Sequence, residues 1–393
     1  MSRNLSRRAV LKTGAGVTVG AGLVAATQGR AIAGPPSVAA ARQNGTPLCD
    51  NVDDSAWRQG LGSGDLCIPY HRAHDNSWGY VFGDSWTDLQ QYGEWMSPAM
   101  LCQQSFDASG NTPIEFTWAL PSGGNARQLF DYRHDADNEH GFEVTRIPND
   151  CIEFGGRTYI QYTSVATWTP PGGYDGSLMS GVAYSDDYGV TWRDYDYHWA
   201  GDTQGVNQSM YGMWSFAGIV DNWLYIYSKR WNGSHRNTAD HGELQLFRIR
   251  PDQFRAGNFG AQENWAYVGG AWQWTSSATP PTPMLRGNHI GEFSVKKIGN
   301  TFCMSYFDVT DYSIRTRTAS APDAQWSAPK TQIVGDGNWP PDHWGKPVRP
   351  SLYGGYIHPG SASANSLTLI VSQWDGTVHS PPYWVLQYDG INA

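Results

Sequence analysis

The sequence predicts an all-β protein, a single five-bladed β-propeller. Three observations carry that reading. The 393 residues include 45 Gly, 23 Pro and 53 aromatics (19 Trp, 21 Tyr, 13 Phe), a composition suited to many short strands and turns. No long stretch keeps a helical apolar period between caps. An apolar hairpin also recurs five times, at uneven spacings on the order of 65 to 80 residues. Length alone would allow two or three domains, but no linker-like composition divides Leu61 from Ala393.

The chain opens with a targeting segment. Ser6-Arg7-Arg8-Ala9-Val10-Leu11-Lys12 carries the twin-arginine pattern, with Val10 where Phe is usual. A mildly apolar run rich in Gly and Ala follows from Thr13 to Thr27, and Ala31-Ile32-Ala33 is a small-residue cleavage site before Gly34-Pro35-Pro36. The expectation is twin-arginine export of a secreted, extracytoplasmic protein, with residues 1–33 removed after Ala33. The apolar run is too short and too glycine-rich to span a membrane. Removing Met1–Ala33 takes away Arg3, Arg7, Arg8, Lys12 and Arg30 and no acidic residue, so the formal charge of −9 becomes −14. Such a surface repels nucleic acid and anionic membranes and is compatible with a neutral glycan. Residues 34–60 read as a flexible leader followed, from Thr46 to Trp57, by a strand that closes the structure. The propeller itself is expected over 61–393, as a monomer.

Within the propeller the first hairpin lies in Leu61–Trp86, with strands Leu66–His71 and Gly79–Phe82 about a polar turn at His74–Ser77. The other four pair Cys151–Phe154 with Thr158–Tyr162, Phe216–Val220 with Leu224–Tyr227, Phe293–Ile298 with Phe302–Tyr306, and Tyr353–His358 with Leu367–Val371. Further strands follow at Gly181–Ser185, Thr191–Tyr197, Glu243–Arg250, Tyr312–Thr318 and Tyr383–Tyr388. Ser185-Asp186-Asp187-Tyr188-Gly189-Val190-Thr191-Trp192 fits the Asp-box, in which an Asp ties a tight turn and a Trp packs beneath it. Its role is structural, and Asp187 is given no catalytic part.

Asp65 opens the first strand of the first hairpin and Asp84 closes the second, so both carboxylates arrive at one end of it. Paired carboxylates at one rim are the equipment of a glycoside hydrolase. In a propeller the starts of inner strands and the ends of second strands share that rim. This adds Asn149, Asp150, His289, Glu292, Asp308 and Arg349, with Glu292 chosen as a third acid. Trp86, Trp168, Trp231 and Trp374 follow second strands, where they could stack on sugar rings. His289 and His343-Trp344-Gly345-Lys346 offer partners for hydroxyls. Most aromatics are expected to fill strand interfaces instead. No spacing demands a metal, and no cofactor is expected.

Gly64-Asp65-Leu66, Gly79-Tyr80-Val81-Phe82-Gly83-Asp84-Ser85-Trp86 and Arg146-Ile147-Pro148-Asn149 before a Gly-Gly turn resemble a family common in secreted actinobacterial proteins, long described as a domain of unknown function. The resemblance runs from about Leu61 to the C-terminus. It implies a five-bladed propeller and, for some members, endo-D-arabinanase activity on arabinogalactan and lipoarabinomannan. It maps the paired acids onto Asp65, as acid/base, and Asp84, as nucleophile. Opposed side chains on adjacent antiparallel strands, with Cβ atoms about 4.5–5.5 Å apart, suit a retaining mechanism better than an inverting one. Two carboxylates so close do not both ionise easily, so one should keep a proton near neutral pH.

Two other functions compete. A non-catalytic glycan-binding propeller would call for aromatics and amides at the rim rather than two close carboxylates. A sialidase, suggested by the Asp-box, needs an arginine cluster and a Tyr nucleophile, and no spacing among Arg146, Arg230, Arg286 and Arg349 singles one out. Of the five cysteines, Cys303 alternates with apolar neighbours and reads as a free, buried thiol. Cys49, Cys67, Cys102 and Cys151 allow three disulfide pairings.

Overall fold

The computed structural model describes residues 45–121, 124–132, 134, 143–168, 176–201, 210–231, 243–286, 290–334, 352–374 and 383–393. The targeting segment, His289, Trp344, Arg349 and the side chain of Trp374 lie outside the described residues. Each of the five hairpins expected from the sequence begins an antiparallel sheet. The inner and second strands are Ile68–Arg72 with Ser77–Phe82, Thr145–Phe154 with Arg157–Val165, Met213–Val220 with Trp223–Lys229, Ile290–Ile298 with Thr301–Asp308, and Leu352–Ile357 with Leu367–Trp374. Outer strands bring each sheet to four or five. Inner strands pack in sequence around a ring, the last against the first, which is the arrangement of a β-propeller. Helix among the described residues is confined to short turns such as Ser55–Arg58 and Pro251–Arg255.

The ring is closed by a short strand that precedes the first hairpin. Thr46–Pro47 is the outermost strand of the fifth sheet, pairing Thr46 with Gln387 and Pro47 with Leu386. Of the range Thr46–Trp57 expected as a closing strand, Thr46–Pro47 is extended, and a short helix, Ser55–Arg58, ends it. Neighbouring sheets are stitched by short polar side chains on their inner strands. Asp150 Oδ2 accepts from Phe216 N–H at 2.7 Å, Ser215 Oγ from Val295 N–H at 2.8 Å, and Ser294 Oγ from Ile357 N–H at 3.2 Å. These are backbone donors on the free edge of each inner strand, which its own sheet cannot pair, and the stitches satisfy them.

Aromatic side chains fill the wedges between sheets, as expected for most of them. Between the second and third sheets, Trp199, Trp214, Phe247, Phe254 and Phe259 form a buried cluster with edge-to-face contacts at 4.6–6.4 Å. Such pairs are worth about 0.5–1.5 kcal/mol each beyond their buried area. All five cysteines are buried and free. Cys303 matches its expectation, and the pairing considered for the other four is not found. Burial pushes the Cys102 and Cys303 thiols up to about 12, which keeps them unreactive at neutral pH.

The Asp-box closes the turn after the third strand of the second sheet. Asp187 Oδ1 accepts from Thr191 N–H at 2.8 Å and Ser185 Oγ at 2.7 Å, and Asp187 Oδ2 accepts from Thr191 Oγ1 at 2.7 Å. Burial raises the Asp187 pKa, but these bonds outweigh it and the net shift is downward. Strand Ser177–Ser185 descends from the inner-strand starts, so this turn lies at the far end of the sheet from Asp65 and Asp84.

Candidate active site

A small extra sheet builds the site. Ser63–Gly64 pairs with Ser85–Trp86, Ser63 opposite Trp86 and Gly64 opposite Ser85, and Trp95–Met96 adds a third strand. Continuing that register sets Asp65 directly across from Asp84, and the Asp65 N–H donates to the Asp84 carbonyl at 3.2 Å. Below this point the first strand breaks. Leu66 and Cys67 take φ of 64° and 53°, left-handed values that cost a bulky L-residue on the order of 1–3 kcal/mol. Ser372 Oγ holds the Leu66 N–H at 2.9 Å, and the Asp65 carbonyl holds the Cys67 N–H at 2.8 Å. The hairpin then resumes in the same register, Ile68 opposite Val81. The expected strand start at Leu66 is thus a strained kink that fixes Asp65.

Both carboxylates are fully buried. Asp65 Oδ2 accepts hydrogen bonds from Tyr353 Oη at 3.0 Å and from Tyr383 Oη, both on the fifth sheet. Asp65 Oδ1 lies over Gly83, where a Cβ would come within 2.3 Å of it. Asp84 Oδ1 accepts from Thr145 Oγ1 of the second sheet at 2.8 Å and from Trp95 Nε1 at 3.2 Å. The pair therefore sits where the first, second and fifth sheets meet, each acid anchored from a different neighbour.

Other expected residues divide. Trp86 is nearly buried, stacked on Trp95 (6.2 Å, 8°) and edge-on to Tyr383, so it walls the site. Glu292 is buried at a bulge that opens the fourth inner strand, at the same end of the channel as the pair. Asn149 is the extra residue of the bulge in the second inner strand. Its Nδ2 donates to Gln161 Oε1 and Thr163 Oγ1, and its Oδ1 has no hydrogen-bond partner among the described residues.

Three expectations are corrected. Asp150 does not face a substrate. Cys151 N–H, Ser215 Oγ, Phe216 N–H and Lys296 Nζ (2.6 Å) all bond its carboxylate, at the position where the next sheets carry Ser215 and Ser294. Its partners Phe216 and Lys296 line a cavity of about 320 Å³ together with Tyr70 and Glu153, and Asp150 itself is not part of that lining. Asp308 closes its own turn, accepting from Thr310 and pairing with Arg315 at 3.2 Å. Trp231 is 1% exposed and packs against the equally buried Trp168, so neither offers a face to a sugar. Arg146 pairs with Glu143 and Asp194, and Arg286 lies against Glu243, so these two do not form the arginine cluster a sialidase needs. Among the described residues, no three His, Cys, Asp or Glu side chains come together as metal ligands.

Sequence reasoning missed Tyr353, Tyr383, Thr145 and Trp95. For two of them the signal was present but misplaced. The rule that inner-strand starts line the rim was applied to Arg349 and to Asn149–Asp150, whereas those strands begin at Leu352 and Thr145.

Residues 50–389 match the family described as a domain of unknown function, DUF4185. The chain belongs to the DUF4185 family. This agrees with the resemblance carried by the Asp65 and Asp84 motifs. A curated relative, notoamide biosynthesis cluster protein J of Aspergillus sp. (strain MF297-2), is 30% identical over 338 residues, covering 82% of this chain and 83% of its own. An uncharacterized 35.9 kDa protein of Mycolicibacterium smegmatis is 28% identical over 174 residues, 42% of this chain and 47% of its own. Among solved structures, a candidate hydrolase from Bacteroides ovatus ATCC 8483 superposes with a TM-score of 0.55 at 13% identity, covering 84% of this chain and 87% of that one. At that identity the likeness concerns this DUF4185 protein's fold alone.

Proposed function

We propose that this DUF4185 protein is a secreted glycoside hydrolase that cuts D-arabinofuranosyl linkages within arabinogalactan- or lipoarabinomannan-type polysaccharide, with retention of configuration. One observation carries the reading: Asp65 and Asp84 face each other across an antiparallel ladder at one end of the channel, each clamped by side-chain donors. Opposed positions put Cβ atoms about 4.5–5.5 Å apart, and retaining enzymes hold their carboxyls about 5–5.5 Å apart. In this reading Asp65 protonates the glycosidic oxygen as Asp84 attacks the anomeric carbon. The leaving chain departs as an alcohol, and a glycosyl ester forms on Asp84. Asp65 then takes a proton from water, which cleaves the ester and returns the enzyme. Glu292, at the same rim, is the third acid, and Asn149, on the bulge of the second inner strand, is the amide assigned to a sugar hydroxyl.

The complete burial of both carboxylates favours a second reading, a glycan-binding propeller in which they staple three sheets together. Incubation with mycobacterial arabinogalactan and, separately, L-arabinan distinguishes the two. Oligosaccharides released from the first and not the second are expected, and release from neither removes the hydrolase. Proton NMR of the first-formed product tests retention, and an inverted anomer at early time overturns it. The export proposal predicts a mature protein beginning at Gly34.

A further inference from the structure

Among the described residues, the third sheet carries a feature the other sheets do not show. Beyond its third strand, Glu263–Val268 and Ala271–Ser276 form a hairpin turned by Gly269-Gly270, both at positive φ. Its register sets Trp265 opposite Trp274 and Tyr267 opposite Trp272, so four aromatic rings share one face. Trp265 lies 5.0 Å from Trp274 and stacks on Trp272 at 5.9 Å and 16°. Arg248 continues the stripe inward, sandwiched between Trp274 at 4.0 Å and Trp223 at 4.2 Å, with its charge met by Glu263 at 2.6 Å. At the tip the rings are open: Tyr267 is 53% exposed and Trp272 41%. An isolated two-stranded hairpin is marginal in water, and contiguous exposed aromatics mark a binding surface.

Strand direction places the tip. Glu263–Val268 runs antiparallel to Gln245–Ile249, which runs antiparallel to Trp223–Lys229. It therefore climbs toward the end of the sheet where second strands finish, the end that holds Asp65 and Asp84 in the first sheet. It is the fourth strand, on the order of 15 Å outward from the channel.

We propose that this hairpin is a binding platform for an extended neutral polysaccharide, separate from the carboxylate site and on the same rim, so that one long chain spans both. Flat, neutral-bottomed aromatic faces suit the C–H faces of sugar rings, and the paired Arg248 leaves no unmatched charge for an anionic ligand. The proposal rests on the reading of this protein as glycan-acting. It is tested by electrophoresis of the full-length protein through native gels containing mycobacterial arabinogalactan or other neutral polysaccharides. Asp84→Asn is used as background to prevent cleavage, with wild type run in the cold as a second form.

Retardation is expected. Tyr267→Ala/Trp272→Ala should weaken it about tenfold in apparent affinity, while Trp272→Phe, which keeps a ring, should retain it. No retardation in any of the gels, or equal retardation of the double variant, overturns the platform. So does a dimer in size-exclusion chromatography that the double variant dissolves, because a second copy then occupies the hairpin. Oligosaccharide release by wild type is measured in parallel. Variant-sensitive retardation without release leaves the platform standing and removes the hydrolase, and release with variant-insensitive retardation does the reverse.

Discussion

At Gly83 a Cβ would stand 2.3 Å from Asp65 Oδ1, closer than two such atoms can approach. Leu66 Cδ1 stands 2.8 Å from the same point, so an alanine there must displace both the Asp65 carboxylate and the Leu66 side chain. Gly83→Ala should move the carboxylate by a substantial fraction of an ångström. The proposed glycan hydrolysis should fall on the order of 10²-fold, since misplacement of reacting groups is costly, while thermal unfolding shows only a modest loss. Unchanged kcat/KM in this variant would remove Asp65 from the chemistry. Asp65→Asn and Asp84→Asn keep the shape of the carboxylates and their hydrogen-bonded neighbours. Each is expected to lower kcat by about 10²–10⁴-fold, the range of a lost acid, base or nucleophile, with a cooperative melt retained. Azide rescue giving a glycosyl azide of configuration opposite to the substrate identifies the nucleophile variant.

The inner strand of the fifth sheet ends at Ile357, and the residue that turns the chain there is a buried histidine. Gly360 N–H donates to His358 Nδ1 at 3.0 Å, which leaves the proton on Nε2, bonded to Tyr80 Oη at 2.9 Å. Phe106 stacks on the ring at 3.5 Å. Burial, with a smaller contribution from His71, holds its pKa well below the ordinary 6.5. The unfolded chain therefore binds a proton here that the fold refuses. The stability contributed is whole above about pH 6.5 and drains away as pH falls below it. The melting temperature should drop between about pH 7.5 and 5.5, and His358→Gln, less stable at the upper end, should flatten that slope. An unaltered slope in the variant would assign the acid sensitivity to other groups.

The ring is held as a whole by contacts that no single sheet contains. Asp150 of the second sheet meets Ser215 and Phe216 of the third and Lys296 of the fourth, so one carboxylate ties three sheets. Lys296 is itself buried and also donates to the Phe216 carbonyl. Lys296→Met should destabilise the protein by about 3 kcal/mol, because breaking a buried pair strands a charge. Asp150 keeps its hydroxyl and backbone donors, so the effect sits at the low end of that range. Chemical denaturation measures it. Restored stability in Lys296→Met/Asp150→Leu would show that the pair serves specificity of assembly rather than net stability. The segment before the first hairpin takes part in the same closure, since Asp50 accepts the Tyr383 N–H at 2.8 Å and Tyr383 in turn holds Asp65.

By itself the sequence determined what is local and periodic. Apolar runs of strand length separated by turn residues gave the hairpins, because a strand's side-chain period and a turn's backbone demands are both written within a few residues. The Asp65–Asp84 opposition was legible for the same reason: it follows from the register of one hairpin, and the register survives the kink at Leu66–Cys67. The family was legible in the residues flanking those acids. Tertiary structure decided what depends on a neighbour. Asp150 reads as a rim acid until the third and fourth sheets bring Phe216 N–H and Lys296 to it. Tyr353 and Tyr383, almost 290 and 320 positions beyond Asp65, reach it only because the ring closes. Trp231 and Trp272 are equally apolar in sequence, yet one is sealed between sheets and the other stands open on a hairpin. Burial is a property of what lies opposite, and the chain does not carry that information at the residue itself.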